Sequence, residues 1–154
     1  MKKRRLIQRV AVVVAISVLA SLNVFGMAQT KSDAILGEWL SPDRNGRFLF
    51  YIENGKFYGK IVWLKEPKDE TGKYKLDVKN PDAAKRKLPL LGIVIFKDFK
   101  WDQTSGKWVD GKVYDARSGE TWSCELRLPS EKVLEVRGYL AFPWLGKSAF
   151  FSRY

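Results

Sequence analysis

Eight short stretches rich in aromatic and β-branched residues account for most of the chain from position 35 onward: ILGEWL (35–40), RFLFYIE (47–53), KFYGKIVWL (56–64), LLGIVIF (90–96), KWVDGKVYD (107–115), ETWSCELRL (120–128), VLEVRGYL (133–140) and GKSAFFSRY (146–154). Most of them alternate apolar and polar positions, the period of a pleated strand with one buried face, and no long amphipathic helical pattern interrupts them. The chain is therefore expected to be all-β. Short links between most successive strands favour an antiparallel meander, and about eight such strands close into an up-and-down barrel that removes its own edges and can hold one small ligand.

The turns support that order. Asn54-Gly55 between the second and third stretches is a strong hairpin signal, and SPDRNG (41–46) is turn chemistry. Gly59 and Asp110-Gly111 suggest bulges of the kind barrels need at their corners. KDFKWDQTSG (97–106) contains a turn, and Ser32 or Asp33 is placed to cap one helical turn before the first strand. The exception is a polar segment, residues 65–88, with no strand pattern. Within it Asp82-Ala-Ala-Lys-Arg-Lys is expected to form one or two helical turns capped by Asn80-Pro81.

Gly37 and Trp39 in the first strand and Arg153 in the last form a candidate closure. Glycine permits close backbone approach, an indole can plug one end of a barrel, and a guanidinium lying across it is worth about 0.5–2 kcal/mol. The alternative is that Trp39 is one core aromatic among six tryptophans and Arg153 a solvated charge.

Residues 1–28 read as a cleavable export signal: Lys2, Lys3, Arg4, Arg5 and Arg9, then an apolar run over 10–20, then the small residues of Gly26-Met27-Ala28. Cleavage after Ala28 would leave one domain, 29–154, in the periplasm or outside the cell. Without those five basic residues the chain holds 23 basic against 17 acidic residues, a net charge of +6 in place of +11. The lysines are scattered, which gives no support to nucleic-acid binding but leaves room for attraction to anionic lipid headgroups. There is no histidine and a single cysteine, Cys124. That excludes Ser-His-Asp and Cys-His catalysis, zinc sites built on imidazole or paired sulfur, and an intramolecular disulfide; no cofactor is expected. Cys124 could cross-link two chains, but it shares a face with Trp122, Leu126 and Leu128 and is expected to be buried; the sequence leaves open a monomer or a homodimer.

Several motifs resemble one family when taken in order: ILGEW, GKFYGKIV, Asp77-x-x-Asn80-Pro81, Arg86, LPLLG (88–92), Trp108-x-x-Gly111-Lys-Val-Tyr114-Asp115, SGETW (118–122), VRGYL (136–140) and Ser152-Arg153. They are similar to the bacterial exported family catalogued as domain of unknown function 2147, over nearly the whole of 29–154. Ala116 and Phe151 depart from residues more usual there. The resemblance implies a lipocalin-like eight-stranded barrel in which Trp39 and Arg153 do the closing, and it implies no chemistry.

Three sets of site candidates follow. Phe50, Ile52, Phe57, Ile61, Trp63 and Ile95, with Tyr139 as a polar group, are taken to line a pocket for a small hydrophobic or amphipathic molecule, unless the aromatics fill the barrel completely. Asp77, Asn80 and Arg86 either rim the mouth or only hold their own loop. Asp98, Asp102, Asp110 and Asp115 offer carboxylates for acid and base work, yet most sit in turns and no motif assigns them roles, so no enzyme is expected. The competing class is a solid barrel that contacts a membrane or a protein through Phe142 and Trp144 beside Pro143.

Overall fold

The computed structural model describes residues 31–154; the expected signal, 1–28, lies outside them. After a 3-10 turn at Lys31–Ile35 come β1 (Gly37–Leu40), β2 (Gly46–Glu53), β3 (Lys56–Leu64), β4 (Val94–Asp102), β5 (Lys107–Asp115), β6 (Glu120–Ser130), β7 (Val133–Tyr139) and β8 (Lys147–Arg153). Each pairs antiparallel with the next, and β8 returns to β1 to close the barrel. The expected up-and-down barrel is the observed fold.

Local chemistry explains most of the turns and bulges. Asn54 and Gly55 take φ of 50° and 74°, the left-handed values a tight two-residue hairpin requires. Strand β4 starts later than the sequence suggests and continues past Phe96 to Asp102, and the turn expected within 97–106 lies at its end, over 103–106. Asp98 makes the extension possible: with φ of 63° it bulges the strand, and its Oδ1 accepts from Lys56 Nζ (2.8 Å) and Tyr58 OH (3.1 Å) on β3. Asp110 bulges β5 in the same way, with φ of 60° and a register shift beside it. Gly59 and Gly111 are bare because aromatic rings lie on them; a Cβ on Gly59 would stand 2.8 Å from the Phe96 ring, and one on Gly111 would collide with Phe99.

An aromatic layer packs the barrel interior. Phe48, Phe96 and Phe151 meet edge to face, with ring centroids 5.5–6.2 Å apart, and Phe50 tilts against Phe96 at 4.9 Å. Trp39, Phe57, Phe99, Trp108, Leu126 and Leu134 complete this layer and are almost wholly buried. The end below it is sealed. Trp39 Nε1 donates to Ile35 O (2.7 Å), and the Arg153 guanidinium lies 4.2 Å from the Trp39 ring centroid. Arg153 also donates to the backbone oxygens of Leu36 (3.0 Å), Glu131 (2.8 Å) and Ala34. The expected pairing of Trp39 and Arg153 is thus present, with Gly37 alongside at φ 106°. At the other end lie the four loops 41–45, 65–93, 116–119 and 140–146.

Candidate functional site

The lumen above the aromatic layer is the candidate site. Val113 pairs with the inward Phe96 and with Trp122, and a Cβ built on Gly138 would lie 3.9 Å from Trp122 Cβ and 4.0 Å from Val113 Cγ1. Ala149 pairs with the buried Val136. Val113, Trp122, Gly138 and Ala149 therefore share the inner face towards the four-loop end, and Leu64 and Ile93 pack onto the same core. All six are only partly buried. An inward side chain in a closed sheet reaches solvent through the mouth, so this half of the barrel keeps an accessible apolar wall. Lys147 pairs with Gly138 at the rim, on the same face, and adds a cation.

The residues expected to line the pocket are divided by the structure. Phe50, Phe57, Ile61 and Ile95 are buried in the packed core. Ile52 sits beside the β2–β3 hairpin, 45% exposed. Trp63 needs correction: it lies on the outer face, paired with Arg47, whose guanidinium is 5.3 Å from its ring and bonds Glu38 Oε2 at 2.8 Å. The cause is a bulge between Arg47 and Phe48, which shifts register so that simple alternation from Ile61 fails. Tyr139 is also corrected to the outer face, because Gly138 beside it points inward and Tyr139 pairs with Ser123. Val113, Trp122, Gly138 and Ala149 were missed. The alternation in TWSCELRL, which sets Trp122 on the face of Cys124, carries the signal for one of them.

Asp77 ties its loop to the barrel strand β5, while Asn80 and Arg86 bond within the loop itself. Tyr114 follows the inward Val113 and so faces outward, where its OH donates to Asp77 Oδ1 at 2.6 Å. Asn80 Nδ2 donates to Asp77 Oδ2 at 2.6 Å, and Arg86 Nε donates to Asn80 O at 2.7 Å. Asp77 is 2% exposed. Burial, then the bond to Asp77 and its charge, push the Tyr114 hydroxyl up to a pKa of about 12. The short turn Ala83–Lys85 is capped by Asp82, not by Asn80; the Asp82 side chain accepts from Ala84 N (3.0 Å), while Asn80 Oδ1 receives Asp82 N (2.9 Å).

The family of uncharacterized proteins conserved in bacteria, DUF2147, matches residues 37–153, from the first strand to Arg153. The chain belongs to the DUF2147 family. Its fold is also similar to that of a solved Helicobacter pylori protein, HP1028, described as belonging to the lipocalin family. The TM-score is 0.67 at 22% identity, over 78% of this chain and 82% of that one. No curated protein matches it.

The turn carboxylates of this DUF2147 barrel are occupied locally. Asp98 is held by Lys56 and Tyr58, Asp102 by Ser105 and Thr104, and Asp115 by Arg117, and these bonds lower all three carboxyl pKa values. That is the opposite of the shift a general acid needs. Asp110 lies 3.4 Å from Lys100 Nζ on the exposed surface. Cys124 is fully buried, and desolvation pushes its thiol well above the usual range. A thiol reagent is expected to label folded protein at least ~100-fold more slowly than protein unfolded in urea, read by intact mass. Equal rates would show that the barrel opens at β6.

Proposed function

We propose that this protein is exported and binds a small amphipathic molecule non-covalently in the open half of its barrel. The observation that supports the reading is the partly buried apolar wall of Val113, Trp122 and Ala149 above a solid aromatic floor. The inner face above that floor would take a short apolar body, each Å² of which gains about 25 cal/mol on leaving water. Lys147, at the rim on the lumen-facing side, would pair with an acidic head group, which favours a fatty-acid-like ligand over a neutral hydrocarbon. No catalytic step belongs to this reading.

Gly138→Leu tests it. Gly138 is not in the left-handed region, and its missing Cβ would meet Trp122 and Val113 at ordinary contact distance, so leucine there should fill the lumen and leave the barrel intact. Native mass spectrometry of protein taken from the exported fraction should show an extractable adduct on the wild type. Uptake of a fluorescent fatty acid should fall at least ~10-fold in Gly138→Leu. Unchanged uptake by a folded Gly138→Leu protein would place the ligand elsewhere or refute it.

A further inference from the structure

The loop between β7 and β8 presents apolar side chains to solvent on a fixed frame. Leu140, Phe142, Trp144 and Leu145 are 76%, 50%, 71% and 74% exposed, and the Phe142 and Trp144 rings stack at 4.5 Å with 11° between their planes. A loose loop would fold such groups onto the protein. This one is held open by its backbone. Arg137 Nε donates to Pro143 O (2.6 Å), its Nη2 to Trp144 O (3.3 Å) and its Nη1 to Ser148 Oγ (3.0 Å). Ser148 Oγ in turn donates to the buried Glu135 (2.7 Å), which Arg127 also holds. Two further bonds, Leu145 N to Phe142 O and Gly146 N to Pro143 O, both 3.1 Å, set the turn itself. The polar network spans the outer faces of β6, β7 and β8, so the tip is braced by the barrel and keeps its apolar side chains pointing out.

Charge at the same end selects the occupant. The four loops there carry ten basic side chains against six acidic ones, and Lys147 adds another at the rim. Among the acids, Asp77 is buried under Tyr114 and Asp82 is paired with Lys85; of the rim acids on the strands, Asp115 is paired with Arg117. No acidic residue occurs after Glu135. Val78, Leu88 and Leu91 of the long loop are exposed at this end too. A rigid tip of Trp, Phe and Leu beside an excess of lysine matches the boundary between lipid headgroups and acyl chains, where indoles settle and cations meet phosphate. The geometry points to docking of the open end on an anionic phospholipid surface, with the 140–145 tip inserted. The docking surface borders the lumen mouth and shares Lys147 with it. The inserting side chains of the 140–145 tip lie outside the lumen, so variants of the tip test docking separately from the ligand reading.

The test uses the full chain without its export signal and vesicles of phosphatidylethanolamine containing about 30% phosphatidylglycerol. Wild type should sediment with these vesicles, at least ~10-fold less with phosphatidylcholine vesicles, and less as salt is raised. Brominated acyl chains should quench emission in wild type and much less in Trp144→Phe, which should still bind. The double variant Trp144→Ser, Leu145→Ser should lose at least ~10-fold in bound fraction with its unfolding midpoint unchanged, since both side chains are exposed. Failure of wild type to bind, or equal binding by the double variant, would overturn the proposal. So would a reversible dimer that the double variant dissolves in the absence of vesicle binding, which would give the patch to a second copy of the chain. Fatty-acid uptake by the double variant should stay at the wild-type level.

Discussion

Trp39→Ala is expected to lower the unfolding free energy by about 3–5 kcal/mol, the range for emptying a buried tryptophan site. The residue has no solvent exposure, packs at the foot of the aromatic layer and donates its indole N–H to Ile35 O. It also supports the guanidinium that links the last strand to the lead-in: Arg153 stacks on the ring and donates to the carbonyls of Ala34, Leu36 and Glu131. β1 pairs with β8 at only two positions, Trp39 with Arg153 and Leu40 with Ser152. Side chains therefore carry more of this seam than of any other. Arg153→Lys should recover little of the loss in Arg153→Ala, because an ammonium cannot reach three carbonyls in the fork geometry of a guanidinium. Urea unfolding of the two single alanine variants and the double should give a coupling of about 0.5–2 kcal/mol. Additive losses would show that the stacking contributes nothing and that the two residues stabilise the seam separately.

The difference between a legible fold and a poorly legible site has one physical origin. Fold class depends on period, and the alternation in RFLFYIE, KFYGKIVWL and TWSCELRL survives small errors in boundary or face. Closure was also legible, because Gly37, Trp39 and Arg153 are chemically distinctive at the two ends of the meander. Lining residues depend on phase. One bulge between Arg47 and Phe48 is enough to send Trp63 outside under Arg47, and the bulge near Ile95 buries consecutive residues, Ile95 and Phe96, that strict alternation would separate. Asp98 shows why β4 was cut short: an aspartate at positive φ reads as a turn, yet here Lys56 and Tyr58 on the neighbouring strand stabilise it within the sheet. The partner of Asp77 was out of reach because Tyr114 lies 37 positions away, and only the fold brings the two together.

That Asp77–Tyr114 contact is expected to control the long loop. Asp77→Ala leaves the Tyr114 hydroxyl and the Asn80 amide without their acceptor, and an orphaned buried donor costs about 1–3 kcal/mol. The loss should be local. Residues 65–93 attach to the barrel through this contact, through the close approach of Lys79 O to Gly119 and through the backbone bonds of Gly92 and Ile93 with Ile61, whereas the Leu76–Pro89 pairing is internal to the loop and the strands keep their own ladders. Hydrogen exchange should therefore quicken at Asn80 N and at Asp77 N, which donates to Leu88 O, and stay slow in β5 and β6. Tyr114→Phe should do the same to a smaller degree, and the double variant should lose less than the sum, since each single change strands the other's partner. The pH dependence has a definite sign. The hydroxyl's pKa is raised in the folded state, from near 10 to about 12, so the contact is fully present below pH 10. It weakens between pH 10 and pH 12, as the released tyrosine ionises before the bound one. Wild-type loop protection should fall across that interval, and Tyr114→Phe should show a flatter alkaline limb. If exchange at Asp77 N and Asn80 N is unchanged in Asp77→Ala, the loop is held by its turns alone and the contact is incidental.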